Sequence, residues 1–162
     1  MSDPTPPPKR RRRPRTVGLD LGRSRCGVAI DDELGSMAHA RPNLEARDLG
    51  KLVKALVALA DADDVGRFIV GLPLHMDGRE GDGSARARKF AEKLADAADC
   101  DVVLWDERLS TVEAARALTA SGHDARESKG MIDGASASVL LQAWLDRRRL
   151  QRERKRRGEG PG

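Results

Sequence analysis

The sequence predicts a mixed α/β domain in which an antiparallel meander feeds right-handed crossovers, with helices on both faces of one sheet. Three observations carry this. Two short apolar runs, 16–21 and 26–30, flank the Gly22-Arg23-Ser24-Arg25 turn. From residue 47 onward, helix-spaced and strand-length apolar segments alternate. The 162 residues suffice for one domain with a real core and fall short of two large lobes.

In chain order, 1–15 joins MSDPTPPP to KRRRRPR, has nothing to bury, and is expected to be unstructured, so the ordered domain spans 16–146. A third strand is expected over 37–44. Between 47 and 60, Leu49, Leu52, Val53, Leu56 and Val57 fall at helical spacing. Next, 67–72 (RFIVGL) has the length and continuous apolarity of a buried parallel strand, stopped by Pro73. A charged, glycine-rich loop, 74–83, has the character of a flap, and Ser84 is placed to cap a helix carrying Ala87, Phe90, Ala91 and Leu94 on one face. A strand at 102–105 follows. Ser110 and Glu113 form a capping box for a helix to about 120, and 121–130 reads as a polar loop. The last helix is expected from about Ile132, burying Val139, Leu140, Ala143 and Trp144, then running into a basic extension and disordered tail over 147–162.

Charge is distributed unevenly. Residues 1–16 carry +5 and 147–162 carry +6, which leaves the body at −7 within a whole-chain charge of +4. Basic tails on an acidic body suggest a polyanionic partner held by the tails and carboxylates with work to do in the body; solvated, disordered ends are the plainer explanation. The aromatics are only Phe68, Phe90, Trp105 and Trp144, which argues against base-stacking platforms. Cys26 and Cys100 have no disulfide or zinc spacing, and the N-terminus has neither a secretory apolar region nor a membrane span, so a cytoplasmic protein with no membrane partner is expected.

Three acids stand at element ends in apolar surroundings. Asp20, in VGLDLG, projects from a central strand, where an unpaired carboxylate is costly. Its bland role is to accept hydrogen bonds from the 22–25 turn. Gly18 and Gly22 would let a phosphate approach the backbone. In WDERLST, strand alternation lets only one of Asp106 and Glu107 face a site, and the other is free to cap or to pair with Arg108. Asp133 opens the last helix before Gly134, Ala135, Ser136 and Ala137, where a helix-dipole role is the simple explanation.

Four blocks, GLDLGRSRCGVAI, FIVGLPLHMDGREG, LWDERLSTVEA and IDGASASVLLQAWL, in this order and spacing, resemble the YqgF/RuvX family of proposed pre-16S rRNA nucleases, also described as Holliday junction resolvases. The resemblance covers roughly 17–145, with His75 where the family pattern has Asn and Ser136 where it has Ala. It implies an RNase H-like (RuvC-like) fold, with five strands in the order 3-2-1-4-5, in a bacterial cytoplasmic protein. It further implies a metal-dependent nuclease whose catalytic acids and metal ligands map to Asp20, Glu107 and Asp133, with a role in maturing the 5′ end of small-subunit rRNA. Two Mg²⁺ or Mn²⁺ ions bound by carboxylates suit phosphodiester hydrolysis. In that strand order Glu107 lies two strands from Asp20, about 10 Å away. Asp77, in the loop after the intervening strand, is then an alternative third acid.

Arg25 in the first turn, with Arg86 and Lys89 on the helix after the loop, is expected to meet phosphates. Glu92 and Asp96 nearby favour ordinary solvation for the helix residues. The substrate is RNA (pre-16S rRNA) or branched DNA; symmetric junction cutting would need a homodimer, and no interface is legible. Two other classes compete. DLGRSRCGVAI also resembles the first phosphate loop of actin/Hsp70-type ATPases, which need two lobes. The second is a non-catalytic RNA-binding ribosome factor, which would be indifferent to metal ions and to loss of Asp20.

Overall fold

The computed structural model describes Pro4 and residues 13–111 and 135–158. Its element order is β1 (Arg15–Leu21), β2 (Arg25–Asp31), β3 (Ala38–Glu45), α1 (Leu49–Asp63), β4 (Val65–Leu72), α2 (Asp82–Ala97), β5 (Asp101–Asp106), a 3-10 turn at Glu107–Leu109 and α3 (Ala135–Arg156). The strands form one sheet in the order β3-β2-β1-β4-β5, with β1–β2 and β2–β3 antiparallel and β1–β4 and β4–β5 parallel. The expected strand order is the observed one. The proposed helix from Ser110 and Glu113, the 121–130 loop, the Ile132 helix start and Asp133 lie outside the described residues.

Alternation along β1 separates two cores. Val17 and Leu19 join Leu52, Leu56, Phe68, Phe90 and Leu94 on the face covered by α1 and α2. The opposite face packs Ala29 and Ile69 against Ala137, Leu140, Leu141 and Trp144 of α3. Gly18 belongs to this second layer. A Cβ there would stand 2.8 Å from the Leu141 Cβ, so this glycine serves close helix-on-sheet packing and not, as its sequence suggested, the approach of a phosphate.

Caps set the element ends. The Asp48 side chain accepts from the Lys51 N–H at 3.2 Å to open α1, and Asp64, in left-handed conformation (φ 54°, ψ 51°), closes it. Ser84 lies inside α2, with Gly81 as its N-cap. The Ser84 hydroxyl accepts from the Gly81 N–H and donates to the Pro73 carbonyl, fastening the helix start to the end of β4. The Gln142 side-chain amide on α3 donates to the Ser36 carbonyl and accepts from the Ala38 N–H, both at 2.9 Å, and so holds the start of edge strand β3.

Residues 13–15, which composition placed in an unstructured segment, are part of the fold. Pro14 packs on Gly66 of β4, Arg15 opens β1, and Arg13 and Arg15 both lie against Asp31, a fully buried carboxylate at the end of β2. Asp31 also accepts the Thr16 N–H at 2.9 Å. At the other end α3 continues past 146 to Arg156, carrying the basic extension as helix. Arg67 and Arg148 each stand 5.1 Å from the Trp144 ring and Arg147 stands 5.7 Å from that of Trp105, so cations cover both indoles. No helix among the described residues is long and apolar enough to cross a membrane.

Asp31→Ala leaves Arg13 and Arg15 without their carboxylate and Thr16 N–H without its acceptor. The expected loss is roughly 2–4 kcal/mol, less than for a fully buried pair because both arginines are partly solvated. Urea unfolding measures it.

Candidate active site

The site grows from Asp20, near the C-terminal end of the central strand. Asp20 pairs with Gly27 of β2, and because Leu19 pairs with Val70, Gly71 of β4 occupies the next position on the other side. Asp20 is therefore flanked by residues without side chains. A Cβ on Gly27 would stand 3.5 Å from the Asp20 Cβ and 3.5 Å from the Ala137 Cβ, which places Asp20 on the α3 face beside the first turns of that helix.

Gly71 lets Glu107 reach back toward the central strand. A Cβ on Gly71 would fall 2.6 Å from Glu107 Oε1 and 2.7 Å from Leu140 Cδ1. Glu107 starts two strands from Asp20, just beyond β5, yet its carboxylate lies back over β4 in space that only a glycine leaves open. The residue is buried, at 8% exposure, and the 3-10 turn that it opens is closed by Ser110, whose N–H and hydroxyl both donate to the Glu107 carbonyl. Asp106, its competitor, faces elsewhere. It caps the turn through the Arg108 N–H at 2.9 Å and pairs with the Arg108 guanidinium at 2.7 Å, which holds its carboxyl below the ordinary value.

Asp77 is likewise engaged elsewhere, accepting the Arg79 N–H at 3.0 Å and pairing with the Arg79 guanidinium at 2.5 Å in the exposed loop. That loop is closed by backbone bonds between His75 and Arg79 and between Gly78 and His75, and Arg108 donates to its Met76 carbonyl. Arg25 and Lys89 are exposed. Arg86, expected on phosphates, instead directs its guanidinium to the Gly22, Arg23 and Ala46 carbonyls, the last at 2.8 Å. It holds the β1–β2 turn and the end of β3 to α2.

One residue escaped the sequence reading. Between the pairs Cys26↔Leu44 and Val28↔Arg41, both Pro42 and Asn43 stand opposite Gly27, a bulge in edge strand β3 that turns Asn43 toward the Asp20 row. Its Oδ1 lies 3.8 Å from where a Gly27 Cβ would be. A proline inside an expected strand was the available signal.

The row Asn43–Gly27–Asp20–Gly71–Glu107 thus sets two carboxylates and an amide on one face, separated by two bare backbone positions. Hard oxygen donors in neighbouring positions fit Mg²⁺ or Mn²⁺ and give no soft or imidazole ligand. Among the described residues no third acid joins them. Thiol chemistry is disfavoured, because burial, assisted by the Asp20 charge, pushes the Cys26 thiol up to about 12.

The sheet order and the helix placement define an RNase H-like domain of the RuvC type. Two solved structures share the fold: Thermus thermophilus RuvC in complex with a Holliday junction substrate (11% identity, TM-score 0.59, covering 86% of this chain and 97% of that one) and Thermus thermophilus RuvC alone (16%, 0.52, covering 83% and 96%). The chain belongs to the RuvX (YqgF) family, whose model, described as Holliday junction resolvase, matches residues 14–147. Relatives from Anaeromyxobacter sp. strain K (46% identical, 83% of this chain, 98% of the relative) and Myxococcus xanthus (42%, 83% and 89%) both carry the name "Putative pre-16S rRNA nuclease".

Gly71→Ala is expected to cost about 1–3 kcal/mol, since the added methyl meets Glu107 and Leu140 together. Chemical denaturation reads the loss. A fully stable Gly71→Ala protein would show that Glu107 does not occupy this space.

Proposed function

We propose that this protein is a metal-dependent nuclease that hydrolyses phosphodiester bonds in the 5′-end processing of pre-16S rRNA. The observation that carries the reading is the Glu107 carboxylate laid over Gly71 toward Asp20, a buried acid brought across a strand to the side of another. Asp20, Glu107 and Asp133 would hold Mg²⁺ or Mn²⁺, and the ions would supply water activation and neutralise charge on the scissile phosphate and leaving oxygen. Asp133 precedes the first described residue of α3 by two positions, and that helix starts beside Asp20 and Gly27.

The chain's own residues do the positioning. Asp20 is fixed by its pairing with Gly27 and by the Leu19–Val70 pair that precedes it, so its carboxylate cannot retreat far from the site. Glu107 is held by the 3-10 turn and by Leu140 beneath it. Gly27 and Gly71 add no side chains of their own, which leaves room for Ala137 over the first and for the Glu107 carboxylate over the second. Arg25 and Lys89 are the exposed cations proposed to meet the flanking backbone, with Arg86 supporting the turn on which Arg25 stands.

RNA is favoured as substrate by the names that the relatives carry, and a cytoplasmic bacterial setting accords with it. The second reading, resolution of a four-way DNA junction by a homodimer, is favoured by the description of the family model. Both use the same acids.

Asp20→Asn and, separately, Asp133→Asn are expected to reduce Mn²⁺-dependent cleavage of a labelled rRNA 5′-leader by at least ~100-fold while leaving nucleic-acid binding and the melting temperature near wild type. A four-way DNA junction run in parallel distinguishes the two substrates. Full activity in both variants would remove these acids from catalysis. Binding without cleavage by the wild type, with either substrate, would leave a non-catalytic RNA-binding factor.

A further inference from the structure

The end of the sheet opposite Asp20 carries a second assembly. Arg13, just before β1, lies against Gly35 in the β2–β3 turn, where a Cβ would fall on its guanidinium, and its Nη1 stands 3.6 Å from Asp31 Oδ2. Arg148, Arg149 and Arg152 reach the same place from α3. Together with Ser36 and Leu145 they line a cleft of about 110 Å³, room for three or four waters at ~30 Å³ each or for one tetrahedral oxyanion.

Three of the acids nearby are already engaged, and Glu33 and Glu153 stand next in the chain to the lining residues Leu34 and Arg152. Asp31 serves Arg13, Arg15 and the Thr16 N–H, Asp32 accepts from the Ser36 N–H and hydroxyl, and Asp146 accepts from Gln142 and stands 3.5 Å from Arg149. Arg148 and Arg152 have no carboxylate partner among the described residues. Burial, together with the neighbouring cations Arg67, Arg152 and Arg13, pushes the Arg148 guanidinium below its ordinary value. Such crowding is unfavourable until an anion enters, and guanidinium groups match phosphate oxygens through paired donors.

We propose that this cleft, formed where the two basic ends of the chain meet, binds a backbone phosphate of the nucleic acid on which the nuclease acts. Ala137, beside Gly27 and Asp20, and Arg149 at the cleft are separated on α3 by about 18 Å at ~1.5 Å per residue. A stacked single strand rises that far in about five nucleotides at ~3.4 Å each. The cleft is thus a second holding point at a fixed distance from the acids. The basic ends act as a defined site and not as a diffuse cloud of charge.

The inference rests on the nuclease reading, and the test separates the two. Binding of a labelled single-stranded RNA long enough to span both sites is measured by fluorescence anisotropy in EDTA across a salt series. The proteins are the wild type, Arg149→Gln with Arg152→Gln, the same positions changed to Lys, and a control pair farther along, Arg154→Gln with Arg157→Gln. The Gln pair at the cleft is expected to weaken binding about tenfold or more and to make the salt slope shallower by ~0.7 per lost phosphate contact. The Lys pair should show part of that loss, and the control pair should show less than either. Inorganic phosphate, exchanged for chloride at constant ionic strength, should compete with RNA in the wild type and lose this effect in the Gln pair.

An equal loss in the control pair would overturn the proposal in favour of bulk charge. Wild-type RNA affinity in the Gln pair, with phosphate still bound by the wild type, would assign the cleft to a free oxyanion and overturn it as well. If the wild type binds neither RNA nor a DNA junction, the nuclease reading fails and the inference falls with it.

Discussion

A carboxylate on the central strand of a sheet is the constraint around which this molecule is arranged. Asp20 is flanked by hydrogen-bonded strands on both sides, where large neighbours would bury it against apolar surface at a cost of several kcal/mol. Glycines at both flanking positions, Gly27 and Gly71, instead clear room for Ala137 on one side and for a second carboxylate on the other. That second carboxylate is Glu107, from beyond β5. Replacing either glycine with an ordinary strand residue would crowd the carboxylate and, at 71, exclude its partner. Strand stability has been yielded there for that room.

The helix on this face shows the same economy of space. α3 approaches β1 closely because Gly18 offers no side chain to Leu141, and its small first-turn residues bring Ala137 against Gly27. Farther along, Leu140, Leu141, Trp144 and Leu145 bury a conventional apolar stripe. One helix thus closes the second core, lies under Glu107, clamps β3 through Gln142 and carries the cations of the distal cleft. Its two ends reach different ends of the sheet, because its 22 residues run past strands of only six to eight.

Much of this was legible in the residues. The strand runs, the crossovers and the amphipathic faces of α1 and α2 follow from apolar spacing, and the four motif blocks give the family and the strand order. Alternation suggested that one of Asp106 and Glu107 would pair with Arg108, and Asp106 is the one that does. Other features depend on contacts between distant segments. Gly18 reads as a phosphate-loop glycine until Leu141 is seen above it. Arg86 reads as a phosphate ligand until three carbonyls from two other segments are found at its guanidinium. Arg13 sits in a tail whose composition suggests disorder, yet it is held by Asp31, eighteen positions later in the chain. Asn43 depends on a bulge register that only the paired strand defines.

Asp20 and Glu107, on either side of the Gly71 position, are proposed to hold one divalent cation between them. The most direct test is Mn²⁺ binding by electron paramagnetic resonance, comparing the wild type with Asp20→Asn, Glu107→Gln and Asp106→Asn. Saturable binding lost in the first two variants and kept in Asp106→Asn is the predicted result. Binding that survives Glu107→Gln and disappears in Asp106→Asn would contradict it.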